Sequence, residues 1–199
     1  MSELVASPGP PELPGRLVLA SASPRRRELL PLIGIPFEIV EPGVTEISGG
    51  EPAEVVVENA RRKARAGNRL AGPDAVVIGC DTDVVCDGRV LGKPGDAGAA
   101  RERLAMLSGR DHEVLSGVAV AWKEGCSTAL ERTAVGFASL SRVEIDAYLA
   151  SGEWEGRAGG YAVQGLGSSL VRRIDGDLSS VIGLPLGAVR TLLEGLQNG

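Results

Sequence analysis

Apolar residues occur in short runs that end abruptly at polar ones, interleaved with longer stretches at helical spacing. Leu17, Val18, Leu19 and Ala20 form a continuous run of strand length, and residues 75–80 form another. Such runs suit strands buried on both faces. Residues 37–40 read as a further strand. Between the first two strands, Pro24 opens a helix with Ser23 as N-cap, and Gly34 closes it after Ile33. Pro31 inside that span predicts a kink or a shortening. Residues 52–70 put Val56, Ala60, Ala64 and Gly67 on one stripe and Arg61, Arg62, Lys63 and Arg65 on a basic face, as in an amphipathic helix.

The second half follows the same logic. Val84 to Cys86 and Val90-Leu91 predict a hairpin over Asp87-Gly88. Residues 96–107 predict a helix ended by Gly109. Residues 112–122 and 126–139 predict two long strands joined at Lys123-Glu124-Gly125. Ser141 and Glu144 have capping-box spacing and start a helix that stops near Gly152. A strand over 168–174, a turn at Asp175-Gly176 and a helix over 185–196 complete the chain. Strands and helices do not alternate strictly, so the expected fold is α/β with a mixed, twisted sheet flanked by helices. No repeat and no linker divides residues 16–199, which predicts one domain. Residues 1–15 are rich in proline and poor in large apolar groups, which predicts a disordered leader.

Composition narrows the function. The 199 residues carry a formal charge of −5 and only 3% aromatics. A broad nucleic-acid surface needs clustered excess base or stacking platforms, so nucleic acid is not an expected partner. No apolar stretch is long enough to span a bilayer, so no membrane partner is expected either. Three cysteines, with no CxxC, argue for a reduced compartment and a cytoplasmic location. The single histidine, His112, excludes a zinc site built on two or more histidines. A catalytic metal would need carboxylate ligands, which points to magnesium or manganese.

Four features put polar groups at the ends of apolar strands. Ser21 and Ser23 with Arg25 and Arg26 form a strand-to-helix turn whose hydroxyls, guanidinium groups and free N–H groups suit an anion. Cations are disfavoured in a first helical turn, so Arg25, Arg26 and Arg27 together ask for an anionic partner. Asp81-Thr82 follows an apolar run, where carboxylates open into a ligand crevice. Lys63 and Lys93 can neutralise phosphate oxygens, although Gly92-Lys93-Pro94 lacks P-loop spacing. The fourth is the glycine-rich stretch Ala158-Gly159-Gly160-Tyr161-Ala162-Val163-Gln164-Gly165. It allows close backbone approach, and Gln164 offers donors and an acceptor to a base edge. Each feature also has a bland reading: a solvated helix face for Lys63, a turn aspartate for Asp81, a surface loop for the glycines.

In this order the features resemble the Maf-like nucleoside-triphosphate pyrophosphatases. The matching segments are Leu19 to Arg26, Glu58 to Ala64, Ile78 to Thr82, Leu91 to Pro94, Leu107 to Val114, Ala158 to Gly167 and Val181 to Pro185. The resemblance implies an elongated mixed sheet with two lobes around a deep cleft, and a homodimer. It also implies divalent-metal-dependent hydrolysis of a nucleoside triphosphate to the monophosphate and pyrophosphate. The form Gln164-Gly165-Leu166-Gly167 resembles the branch acting on dTTP and UTP. By the same resemblance Asp81 is the proton acceptor, and Arg25, Thr82 and Gln164 set substrate choice. Ser21, Ser23, Arg26, Lys63 and Lys93 are expected to hold phosphate, and Asp81 with Glu38 the metal. Arg157 stands where a lysine is common. The alternatives are a non-catalytic nucleotide-binding regulator of septum formation and a pyrophosphatase for modified purine nucleotides.

Overall fold

The computed structural model describes residues 13–196. Most of the expected leader lies outside them; within it, Leu13 packs against the core. Seven strands form one sheet: β1 (Arg16–Ala20), β2 (Phe37–Val40), β3 (Ala75–Cys86), β4 (Arg89–Val90), β5 (Asp111–Trp122), β6 (Gly125–Phe137) and β7 (Val171–Asp175). Their order is β2-β1-β3-β5-β6-β7, with β4 added beside β3. Pairing is parallel among β2, β1 and β3 and antiparallel beyond. The sheet is therefore mixed, as expected. The helices are α1 (Pro24–Leu29), α2 (Pro52–Ala71), α3 (Ala97–Leu107), α4 (Arg142–Ala150), α5 (Leu178–Ile182) and α6 (Leu186–Gly195).

Strands β3, β5 and β6 are 12 or 13 residues long, which at about 3.3 Å per residue reaches roughly 40 Å. Their two ends carry separate cores. At one end Leu17, Leu19, Ile78, Val118 and Val120 meet Leu184, Val189 and Leu193 from the C-terminal segment. At the other, Leu104 and Leu107 of α3 and Ile145, Tyr148 and Leu149 of α4 pack with Val114, Val135 and Phe137. Two lobes result, joined by the long strands.

Helix α2 lies across the face opposite the C-terminal segment. Two glycines let it come close. A Cβ on Gly79 would fall 2.3 Å from the Ala60 carbonyl oxygen, and one on Gly117 2.3 Å from that of Val56. Ala60, Ala64, Ala119 and Ala121 continue this small-residue seam. The predicted stripe of α2 is the buried one, with Val56, Ala60, Ala64 and Gly67 all inside.

Several local expectations hold. The hairpin turns at Asp87 (φ 49°) and Gly88 (φ 72°), the doubly left-handed geometry that favours Asp-Gly. The Ser141–Glu144 capping box is formed, with bonds of 3.2 and 2.7 Å. Pro31 shortens α1 to six residues, and the chain continues through Ile33 as a 3-10 turn closed by Gly34 at φ 77°. Others differ. The strand read over 168–174 begins only at Val171. Ser168 and Ser169 donate back to the carbonyls of Gly165 and Leu166, which winds residues 165–170 into a 3-10 helix. The apolar run 75–80 does not end at Asp81, because β3 continues through Asp81-Thr82-Asp83 to Cys86. No helix among the described residues is long and apolar enough to cross a membrane.

Candidate active site

The cleft originates in a gap in the sheet. One edge of β3 pairs with β5 from Val77 to Val85. The other edge pairs with β1 only over Ala75–Ile78, and with β4 only at Val85 and Cys86. Between them, from Gly79 to Asp83, no strand covers β3, and at Val84 the Leu91 N–H closes the edge at 2.8 Å. A cavity of about 640 Å³ opens there, within the range of small-ligand sites. Asp81, Thr82 and Asp83 line it mid-strand, with alternating side-chain directions.

Asp81 is buried and fixed from two sides. Lys63 Nζ donates to Oδ1 at 2.7 Å and Asn59 Nδ2 to Oδ2 at 2.9 Å. Lys63 and Asn59 are four residues apart on α2, one turn on the same face. The ammonium also donates to Glu46 Oε1 at 2.6 Å, so it sits between two carboxylates. Asn59 in turn holds the Ile47 backbone, accepting from its N–H at 2.8 Å and donating to its carbonyl at 3.2 Å. Burial opposes ionisation of Glu46, but the Lys63 bond and charge, with Lys93 and Arg26 behind it, outweigh that and keep its carboxyl below the ordinary value. Lys63 is thus no solvated surface lysine. It is buried, held by the close seating of α2.

Asp83 points the same way as Asp81 and contrasts with it. It makes no side-chain hydrogen bond or ion pair among the described residues. Burial, then the charges of Asp81 and Glu46, push its carboxyl up to about 6, against weaker help from Lys63 and Lys93.

The turn after β1 supplies the cationic wall. Arg25 Nε donates to the Ile182 carbonyl at 3.2 Å and Arg26 Nε to that of Gly183 at 2.8 Å, which anchors both side chains on the C-terminal end of α5. Thr82 Oγ1 shares a 2.9 Å hydrogen bond with Ser116 Oγ and lies 3.4 Å from Arg26 Nη2. Ser23 lines the cleft, and its hydroxyl makes no cap bond to α1. Ser21 differs from expectation. It is buried and is not among the lining residues; its Oγ accepts the Ser23 N–H at 3.1 Å and so shapes the turn.

The opposite wall brings Lys93, Arg157, Tyr161 and Gln164 to the same cavity. Gly159 N–H donates to the Gly92 carbonyl at 2.8 Å, tying the glycine-rich turn to the Lys93 segment. Tyr161 is buried and shares a 2.8 Å bond with His112 Nε2. Burial drives His112 down to about 4, so it is a neutral structural group. Gln164 is exposed at the cleft rim.

Glu38 requires a correction. It lies on edge strand β2, pairs with Arg16 and lines a separate hollow with Leu13 and Phe37. It does not reach the cleft, where the carboxylates beside Asp81 are Glu46 and Asp83. Sequence reading missed both, and Asn59. The Asn59–Lys63 spacing beside the buried stripe was the available signal.

The lining suits a hard divalent cation. Its anionic donors are carboxylate oxygens alone, with no thiolate or imidazole among the lining residues. No group of three or more His, Cys, Asp or Glu forms a ready cage among the described residues. One or two carboxylates completed by substrate phosphates is the usual magnesium arrangement, and this donor set fits it.

A mixed α/β sheet, opened over an aspartate and faced by five cations, defines an anion-binding cleft of the kind nucleotide-processing enzymes use. The chain belongs to the Maf-like protein family, whose model matches residues 16–196. A dTTP/UTP pyrophosphatase of Bacillus cereus is 47% identical over 173 residues, covering 86% of this chain and 85% of that protein. Another dTTP/UTP pyrophosphatase, from Symbiobacterium thermophilum, is 48% identical over 173 residues, covering 86% and 89%. Among solved structures, a nucleoside-triphosphatase / dITP/XTP pyrophosphatase from Mycobacterium abscessus aligns at a TM-score of 0.44 and 22% identity, covering 63% of this chain and 75% of that one.

Proposed function

We propose that this protein hydrolyses nucleoside triphosphates, dTTP and UTP foremost, to the monophosphate and pyrophosphate. The observation that carries this is the fixed carboxylate of Asp81 in a cleft lined by Arg25, Arg26, Lys63, Lys93 and Arg157. The two dTTP/UTP pyrophosphatases at 47–48% identity support the choice of substrate.

In this reading Asp81 is the catalytic residue. Lys63 and Asn59 each engage one of its oxygens and hold its plane, leaving lone pairs on both to orient a water and accept its proton. The water oxygen bonds to the α-phosphorus as the α–β bridging oxygen leaves with pyrophosphate. Arg25, Arg26 and Lys93 balance the charge of the triphosphate, and Ser23 adds a hydroxyl. A bound magnesium or manganese ion would screen phosphate charge from the incoming water; one or two of the carboxylates Asp81, Glu46 and Asp83 would hold it, together with the substrate's phosphates. Thr82 and Gln164, from opposite sides of the cleft, select among substrates. The free cysteines support a reducing, cytoplasmic setting. The family resemblance supports a homodimer, which light scattering at micromolar concentration checks.

Phosphorus NMR of a dTTP reaction with magnesium tests the central claim. Pyrophosphate and thymidine monophosphate should rise together from the first turnover. Thymidine diphosphate with orthophosphate as first products would refute α–β cleavage.

A further inference from the structure

The wall opposite Asp81 carries a charge that the protein leaves unanswered. Arg157 lines the cleft, and its Nε donates to the Glu153 carbonyl at 3.3 Å. Its Nη1 is shut off from solvent and has no hydrogen-bond partner. The guanidinium makes no ion pair among the described residues. The contrast with Lys63, whose ammonium faces two carboxylates, is clear. Partial burial of Arg157 works against its charge, pulling its ionisation below the ordinary value. A cation kept at that cost in a ligand cleft suits an anion that arrives from outside.

Position indicates which anion. The 2.8 Å bond from Gly159 N–H to the Gly92 carbonyl puts the turn after Arg157 against the segment of Lys93. Gly159 sits at φ 70°, and a Cβ there would press on Val84 at 3.1 Å, so this turn is seated directly beside the residue that follows Asp83. Arg157 and Lys93 therefore line the cavity from joined segments. Arg157 makes no ion pair among the described residues, and a charged oxyanion entering the cleft supplies the missing partner. A neutral uracil or thymine ring cannot. A guanidinium also presents paired donors that match phosphate oxygens.

We infer that Arg157 is a phosphate-binding residue that, together with Lys93, holds the pyrophosphate half of the substrate and the pyrophosphate product. This rests on the proposed hydrolysis. It also assigns different cations to the two parts of the substrate: Arg25, Arg26 and Lys63 to the α-phosphate beside Asp81, Lys93 and Arg157 to the departing group.

Calorimetric titration with inorganic pyrophosphate and magnesium reads the site without turnover, so it is informative even if the substrate assignment fails. Arg157→Gln should weaken pyrophosphate binding by about 10- to 100-fold, the usual effect of losing a charged hydrogen bond. Arg157→Lys should recover part of it. In dTTP kinetics Arg157→Gln should raise KM by a similar factor and leave the preference for dTTP over GTP intact. Unchanged pyrophosphate affinity in a variant of normal melting temperature would overturn the assignment. So would a loss confined to base preference, which would move Arg157 to the base. If the wild-type protein binds pyrophosphate through Arg157 but hydrolyses no triphosphate, the proposed function fails and this inference stands.

Discussion

Replacing Asp83 by asparagine should stabilise the metal-free protein, and only above a definable pH. The carboxyl has no partner among the described residues, so the substitution breaks no hydrogen bond. Its ionisation is pushed from 3.8 to about 6 by burial first and by Asp81 and Glu46 next. In the unfolded chain the group ionises near its ordinary value. Between about pH 4 and 6 the folded protein therefore retains a proton that the unfolded chain has released. Stability falls as pH rises through that window, and the whole penalty is present above it. A shift of about two units corresponds to roughly 3 kcal/mol. Solvent reaches this half-buried group and screens it, which reduces the expectation to about 1–2 kcal/mol.

Thermal denaturation followed by circular dichroism, in EDTA without nucleotide, checks this. At pH 7.5 Asp83→Asn should melt about 2–8 °C above wild type, given roughly 2–4 °C per kcal/mol for a chain of this size. Near pH 4 the two should coincide. His112, held down to about 4, gives both proteins the opposite trend, with stability present above its unfolded value near 6.5 and lost as pH falls toward 4. It is common to both and cancels in the difference. Magnesium should narrow the gap at pH 7.5, because a cation among Glu46, Asp81 and Asp83 removes the repulsion. An equal or lower melting temperature for the variant at pH 7.5 would refute the reasoning, as would a gain that persists unchanged at pH 4.

Asp81→Asn should reduce kcat by at least about 10²- to 10⁴-fold while the circular dichroism spectrum stays native, since a lost general base alone has that effect; near-normal turnover would remove Asp81 from the chemistry. Gly117→Ala should destabilise by about 1–3 kcal/mol or more, because its Cβ would overlap the Val56 carbonyl at 2.3 Å and backbone cannot give way as a side chain does; urea titration measures it, and a neutral result would mean α2 is seated more loosely than described. Gln164→Ala should lower the kcat/KM ratio of dTTP to GTP by about 10- to 100-fold, the equivalent of about 1–3 kcal/mol for an unpaired base edge. Full retention of the preference would shift base reading to Thr82 and backbone groups.

Much of the fold was legible because its signals are local. The strand runs, the α2 stripe, the Asp87-Gly88 hairpin and the Ser141 cap each depend on residues a few positions apart. The misses fall where local chemistry competes. Asp177 caps α5 with 2.7 and 3.4 Å bonds to the N–H groups of Ser179 and Ser180, but it follows a glycine turn, and five residues carry no period. Asp81-Thr82-Asp83 looked like a turn because polar residues ended an apolar run. Those residues are polar because β3 loses its neighbour there, not because the strand stops. The interruption in hydrophobicity marked the cleft itself.

The site was half legible for a related reason. Arg25, Arg26, Lys93 and Gln164 announce themselves by charge or by glycine-rich surroundings, and the cleft gathers all four. Glu46 sits in an irregular segment between β2 and α2, and only its 2.6 Å bond to Lys63 gives it a role. That bond in turn depends on positions with no chemistry of their own. Without glycine at 79 and 117, α2 could not approach the sheet, Lys63 and Asn59 could not reach Asp81, and Asn59 could not hold the Ile47 backbone next to Glu46. Glu38 was the natural guess from sequence, being a carboxylate on the strand beside β1. Its register in β2 instead sets it level with Val18 and Val77, short of Asp81 along the strands, where it pairs with Arg16. Which carboxylates meet in this cleft is decided by two missing side chains under a helix, a property of packing that spacing along the chain does not encode.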